Sequence, residues 1–292
     1  MIIVVGDLVT DVLVEHDGPL QTGSDTDASI RVGGGGQAAN TAAWLAHISH
    51  PVTLVSAVGD DAAGRDRVAE LEWAGVRSAI QTCPGTATGS VVVLTGSAER
   101  TMITDRGASL LLAPAHVTSV IENAPHGAHV HLSGYPLLHA GSREAGLAAL
   151  AAAARRGLTV SVDAASAAPL RSAGASAFLS WVRGTALLVC NADEADVLAP
   201  GSTAADQASA LTAHAQNVVV KQGPAGAVWC SRDGSVLRGR AHPVPMKDPT
   251  GAGDAFAAGL LAAWCSGSSP EQALAAGAEL GAAAVSVLGA RP

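Results

Sequence analysis

Asp248-Pro249-Thr250-Gly251-Ala252-Gly253-Asp254 runs directly into an apolar, small-residue stretch, a combination able to handle an anion and a proton together. Small residues at 251–253 leave backbone N–H groups unobstructed at a helix N-terminus, where unpaired amides and the helix dipole favour negative charge. Asp254 opens the same helix, where a carboxylate serves as a cap or dipole partner, or as a base. An anion cradle beside a carboxylate is what phosphoryl transfer to a hydroxyl requires. Donors stabilise the transferring group while the base accepts the hydroxyl proton.

A second cluster, Gly33-Gly34-Gly35-Gly36, precedes Gln37-Ala38-Ala39-Asn40 and an apolar helical stretch. Four glycines before a helix let a ligand approach the backbone closely, so this reads as a binding loop. Gly33-x-Gly35-x-x-Ala38 also matches the dinucleotide fingerprint, with Asp60 or Asp61 somewhat beyond the distance expected for the ribose-binding acid, which makes an NAD-dependent oxidoreductase a rival. That fingerprint belongs after the first strand, however, and Ile2 to Val5 runs into Gly6-Asp7 with no glycine-rich turn.

Other chemistries lack their residues. Neither lysine, Lys221 or Lys247, stands in a P-loop, and H-R-D, D-F-G, G-x-S-x-G and H-E-x-x-H are absent. His129 and His131 would share one face of a strand, but with no carboxylate cluster beside them they read as structural. Cysteines 83, 190, 230 and 265 form no C-x-x-C and read as reduced thiols.

With 48% hydrophobic and 14% charged residues the chain is not disordered, and no apolar run is long enough to span a bilayer. A net charge of −8 with two lysines supplies a nucleic-acid face poorly. Any anionic ligand must be held by other means, and 33 glycines in 292 residues, above the roughly 7% average, offer backbone amides for it. The N-terminal segment reads at once as a strand with no basic region before it, so no signal peptide and a cytoplasmic location are expected.

These residues need a scaffold. Strand-like runs recur at 2–5, 52–58, 91–94, 130–132, 159–162, 186–189 and 218–220, separated by alanine-rich helical stretches at 37–47, 63–74, 142–156 and 204–215. The alternation predicts a mostly parallel sheet with helices on both faces. Extended segments at 25–32 and 86–104, the second turning at Gly96-Ser97-Ala98-Glu99, do not belong in such a sheet and predict a projecting β-lid. Residues 254–288 read as helix broken near 265–270, with Ser268 or Ser269 as cap before Pro270. One domain over 1–292 is expected, with lid segments near 11–33 and 86–104.

Gly35-Gly36-Gln37-Ala38-Ala39-Asn40 and Asp248 to Asp254 resemble the two signatures of the ribokinase-like (PfkB) carbohydrate kinases. Weaker landmarks follow in order: Gly6 and Asp11, Asp163, Asn191-x-x-Glu194, Lys221-x-Gly223-x-x-Gly226, and Ala282 to Gly289. The resemblance implies a three-layer α/β/α sandwich with a β-lid, ATP as donor, Mg2+, and an alcohol acceptor. It would make Asp254 the base and Gly251, Ala252 and Gly253 the anion hole. Asp11, Gly35, Gly36 and Asn40 would hold acceptor hydroxyls. Asn191 would serve the nucleotide and Glu194, indirectly, its Mg2+; Lys221, Gly223 and Gly226 would line the nucleotide site. Asp248 and Thr250 match positions that bind a monovalent cation such as K+ in some members.

Ribokinases proper usually carry Gly-Gly-Lys-Gly-Ala-Asn where Gln37 and Ala38 stand here, which points away from ribose itself. Arg106, after the lid hairpin, could meet a carboxylate or phosphate on the acceptor or serve as a surface ion-pair partner. The expected reaction is phosphorylation of a primary hydroxyl of a sugar or sugar-like acceptor, with a nucleoside as the alternative. A phosphosugar is disfavoured by few lid cations, Arg31, Arg100 and Arg106. A non-catalytic sugar sensor is weakened by the intact Gly251 to Asp254. The apolar run Val91-Val92-Val93-Leu94 could pair two chains through the lid.

Overall fold

Near-continuous apolar runs along the central strands, such as Ile2 to Val5, give each strand side chains to bury against either helical layer. The computed structural model describes residues 1–95 and 100–292, so the expected turn at Gly96 to Glu99 lies outside the described residues. The strands are β1 (Ile2–Val5), β2 (Val9–His16), β3 (Ala28–Gly35), β4 (Val52–Gly59), β5 (Arg77–Cys83), β6 (Thr88–Thr95), β7 (Arg100–Gly107), β8 (His129–Ser133), β9 (Thr159–Asp163), β10 (Thr185–Asn191), β11 (Ala215–Lys221), β12 (Ala227–Ser231) and β13 (Val236–Gly239). The helices are α1 (Gln37–His47), α2 (Ala62–Trp73), α3 (Pro114–Glu122), α4 (Tyr135–Leu138), α5 (Arg143–Arg155), α6 (Ala167–Ala173), α7 (Ala175–Trp181), α8 (Ala192–Leu198), α9 (Ala204–Leu211), α10 (Ala252–Cys265) and α11 (Pro270–Val285).

Nine strands form the large sheet in the order β13-β12-β11-β10-β9-β8-β1-β4-β5, parallel from β11 to β5 with β12 and β13 antiparallel. Ile3, Val5, Val130 and Val162 bury themselves under α3 to α9, while Ile2, Val4, Leu54 and Val189 face α1, α2, α10 and α11. Each such aliphatic side chain contributes about 1.5–3 kcal/mol on burial. The chain is a three-layer α/β/α sandwich with a mostly parallel sheet. No helix among the described residues is long and apolar enough to cross a membrane.

The connections reverse direction beside β1. From β1 the chain runs through β2, β3 and α1 to β4 and on to the β5 edge on one side, then returns through β6, β7 and α3 to β8 on the other side of β1. Such a switch point opens a crevice at the carboxyl ends of the strands. Gly6 closes the floor there, since a Cβ on it would stand 2.6 Å from the Cβ atoms of Ala38 and Ser133.

A separate four-stranded sheet, β3-β2-β6-β7, rises from this crevice. Its inner face carries Val9, Asp11, Val91, Met102 and Thr104, which line the cavity beneath. Its outer face is two cross-strand rows, Val32-Val12-Val92-Ile103 and Ile30-Val14-Leu94-Thr101.

The glycine cluster differs from the expected loop. Gly33, Gly34 and Gly35 are strand residues of β3, and Gly36, with φ +99°, caps α1. Gly33 faces open space, but at the other three protein atoms occupy the place of a side chain: a Cβ would stand 1.9 Å from Arg291 Nη1 at Gly34, 1.9 Å from Asp11 Oδ1 at Gly35 and 2.6 Å from the Asp7 carbonyl oxygen at Gly36. With Gly33 to Gly35 in a strand there is no pyrophosphate-binding turn.

Candidate active site

The carboxyl ends of five parallel strands set out a row of polar side chains: Asp7 after β1, Ser133 on β8, Asp163 on β9, Asn191 on β10 and Lys221 on β11. Above the β1 and β8 end, beneath the lid, lies a cavity of about 610 Å³. Asp11, Gly36, Asn40, Arg106, Thr250, Gly251 and Asp254 all line it, together with Asp7, Gln37, Tyr135 and His139.

Asp254 enters from the first turn of α10. Gly251 caps that helix in the left-handed region (φ +75°), with Ala290 beneath it so close that a Cβ would stand 2.4 Å from the Ala290 carbonyl oxygen. Ala252 N–H donates to the Pro249 carbonyl at 3.3 Å, so that amide already has a protein acceptor in the turn. Gly253 and Asp254 N–H, one turn from any intrahelical acceptor, are the donors the helix end presents. Burial pushes the Asp254 carboxyl up to about 8, against the pull of a hydrogen bond from Asn40 Nδ2 to Asp254 Oδ2 at 2.9 Å.

Asn40 is itself fixed. Arg291 Nε donates to Asn40 Oδ1 at 3.0 Å and its Nη2 to the Gly35 carbonyl at 2.8 Å, which turns the Asn40 amide nitrogen toward Asp254. Trp44 Nε1 holds the same segment through the Ala290 carbonyl at 2.9 Å. Nothing local in the sequence marks Arg291, because its partners lie about 250 residues away.

Arg106 is neither at the surface nor a lone cation. Its Nη1 donates to Asp7 Oδ2 at 2.8 Å and its guanidinium lies 3.7 Å from the centre of the Tyr135 ring. Asp7 was legible by position, as the acid directly after the first strand of a parallel sheet. Asp163 pairs with Lys221 Nζ at 2.8 Å and accepts from Gln37 Nε2 at 2.9 Å.

Asn191 and Glu194 form a capping box on α8. Asn191 Oδ1 accepts from Glu194 N–H at 2.9 Å, and both Glu194 oxygens accept from Asn191, at 2.8 and 2.7 Å. Burial and the nearby Asp163 push Glu194 up to about 7. Gly223 and Gly226, with positive φ, shape the turn between β11 and β12, and a Cβ on Gly226 would stand 2.1 Å from the Gly239 carbonyl oxygen. Asp248 Oδ1 accepts from Thr250 N–H and Oγ1 at 2.8 and 2.5 Å, and Oδ2 from Gly289 N–H at 2.9 Å.

His129 and His131 are structural, as their sequence context suggests. Both ring nitrogens of His129 bond Thr159 and Ser161 hydroxyls at 2.8 and 2.7 Å, and His131 Nδ1 bonds Ser161 at 2.8 Å.

The description "pfkB family carbohydrate kinase" matches residues 1–292. The chain belongs to that family. An ATP-dependent ribose-1-phosphate kinase from Halopiger xanaduensis is 31% identical over 264 residues, covering 86% of this chain and 81% of that protein. Adenosine kinase from Sinorhizobium meliloti superposes with a TM-score of 0.87 at 21% identity, covering 100% of this chain and 95% of that one. An E.coli protein described as a ribokinase II, in complex with ATP and Mg2+, superposes with a TM-score of 0.84 at 23% identity, over 99% of this chain and 94% of that one.

In this pfkB kinase four of the residues expected to hold the acceptor, Asp11, Gly36, Asn40 and Arg106, converge on one cavity. Gly35 does not line it, because it packs against the Asp11 side chain and gives its carbonyl to Arg291, and Asn191, Glu194, Lys221, Gly223 and Gly226 also stand outside the lining. Among the described residues no group of three or more His, Cys, Asp or Glu is arranged to hold a metal ion alone.

Proposed function

We propose that this kinase transfers the γ-phosphoryl group of ATP to a hydroxyl of an uncharged sugar or sugar-containing acceptor held beneath the lid. One observation carries the reading: the Asp254 carboxyl, at the N-terminus of α10, opens into the same cavity as Asp11 and Asn40. The acceptor oxygen attacks the γ-phosphorus as its proton passes to Asp254. The bond between that phosphorus and the bridging oxygen breaks, and the electron pair leaves with ADP. Gly253 and Asp254 amides face the transferring group, and bound Mg2+ would neutralise phosphate charge.

The charge of the cavity supports a neutral acceptor. Asp7, Asp11 and Asp254 line it, and its arginine, Arg106, is already paired with Asp7. A nucleoside is the second reading, favoured by the apolar side chains in the lining, Val9, Val91, Met102, Leu138 and Pro169. An ADP-release screen with Mg2+ across pentoses, hexoses, keto-deoxy acids, nucleosides and ribose 1-phosphate tests both, with Asp254→Asn as blank. Turnover with a neutral sugar or a nucleoside is expected; release with phosphosugars alone would overturn the neutral-acceptor reading.

ATP use fits a cytoplasmic enzyme. The outer lid face, with Ile30, Val32 and Ile103 each about 60% exposed, fits a second copy of the chain. Sedimentation should give a dimer that Val32→Lys converts to monomer; a monomeric parent protein would sink this arrangement.

A further inference from the structure

Lys221 ends β11 beside its register partner Asn191, and its ammonium turns toward the switch point rather than toward the Gly223 to Gly226 turn. Asp163 Oδ2 accepts from its Nζ at 2.8 Å, and the Lys221 side chain is 14% exposed. A Cβ on Gly253 would stand 3.4 Å from that Nζ, with no other atom as near. The ammonium therefore lies against the helix end whose amides face the transferring group. The other oxygen of Asp163 accepts from Gln37, which lines the acceptor cavity. Lys221 thus sits where the acceptor cavity and the anion cradle join.

The local charge demands a cation there. Asp163 is a buried carboxylate 2.8 Å from Lys221 and the nucleotide phosphates would add further negative charge, whereas a helix N-terminus supplies only about half a positive charge. Amides alone would leave the transfer point negative and repel a phosphoryl group. We infer that Lys221 is a catalytic residue of the transfer, its ammonium steadied by Asp163 while it contacts the γ-phosphoryl group moving toward the acceptor. This rests on the phosphotransfer reading above and goes beyond a place in the nucleotide site.

Calorimetric titration of ATP and of ADP, each with Mg2+, separates the roles without knowledge of the acceptor. A γ-phosphoryl contact predicts that Lys221→Met weakens ATP by about 10- to 100-fold, the range of a hydrogen bond to a charged group, and ADP by less than about threefold. Lys221→Arg should keep most of the preference for ATP. The double variant Asp163→Asn/Lys221→Met, which removes both members of the buried pair and so protects the fold, should show the same selective loss as the single one. Equal weakening of ATP and ADP would overturn the proposal, and so would a double variant that recovers ATP affinity, because Lys221 would then only neutralise Asp163. Parent protein that binds neither nucleotide would instead overturn the phosphotransfer reading itself.

Discussion

The two glycine clusters look alike in sequence and are used in opposite ways. At Gly34, Gly35 and Gly36 the absent side chains make room for the protein's own atoms, the Arg291 guanidinium, the Asp11 carboxylate and the Asp7 backbone, while Gly33 faces open space. At Gly251 the turn is pressed by the Ala290 backbone, whereas a Cβ on Gly253 would meet the Lys221 ammonium at van der Waals distance. One cluster is a packing joint that carries Asn40 to its place; the other is an uncrowded helix end whose amides the proposed transfer would use. Glycine enrichment shows that something approaches the backbone closely, and only the long-range contacts say what.

The carboxylate beside the second cluster gives the largest expected effect. Asp254→Asn should lower kcat in the ADP-release assay by about 10²- to 10⁴-fold, the usual share of a general base. The same change should raise Tm at neutral pH. The folded-state pKa of about 8 lies above the ordinary 3.8, so the folded chain holds the proton more tightly and loses stability as pH rises between those values. An Asn carries no ionisation cost. A variant with full turnover would remove Asp254 from the mechanism, and one with lowered Tm would contradict its burial cost.

Alanine substitutions sharpen the contrast directly. Gly36→Ala puts a Cβ 2.6 Å from the Asp7 carbonyl oxygen at φ +99°, which should cost about 2–4 kcal/mol in urea unfolding. Gly253→Ala meets nothing closer than Lys221 Nζ at 3.4 Å and lies in a helix that prefers alanine, so stability should hold or rise. Its kcat should nonetheless fall by about tenfold as the methyl group crowds the transferring phosphoryl. Equal stability losses in the two variants would erase the distinction between packing joint and cradle.

The pH dependence follows from the same carboxyl. Below pH 8 the base is increasingly protonated, so kcat/KM should fall about tenfold per pH unit toward acid and level off above pH 8. A flat profile between pH 6 and 8 would mean that Asp254 ionises far lower than its burial implies.

The same contrast explains what the sequence revealed. Helix α1 is found at its expected bounds and α11 opens at Ser269 with a Ser-x-x-Gln box, because cap and period are local signals. Strands β2, β5, β12 and β13 are not among the expected runs, β2 being covered only in part by the expected lid segment near 11–33. Arg77-Ser-Ala-Ile-Gln-Thr-Cys lacks a strong apolar run because β5 is an edge strand, and β12 and β13 pair antiparallel at the opposite margin. Asp11, Asn40, Arg106 and Asp254 share a cavity that motif spacing could suggest but not build. Arg291 and the Asp163 to Lys221 pair were out of reach because each joins segments far apart in the chain through side-chain geometry.

The smallest expected effect concerns the loop that leads into the cradle. Asp248 accepts from Thr250 N–H, Thr250 Oγ1 and Gly289 N–H, and Val285 O accepts from the Lys247 and Asp248 amides. Protein donors thus already tie this loop to the segment that carries Ala290 and Arg291. A K+ ion near Asp248 and Thr250 would reinforce a joint that closes without it, unlike the cradle, whose amides need a ligand. Replacing K+ with a tetraalkylammonium ion should therefore change ADP release by no more than about twofold, some 0.4 kcal/mol in barrier. A drop of tenfold or more would show that the cation, rather than these hydrogen bonds, holds Gly251 and Asp254 in register with the acceptor.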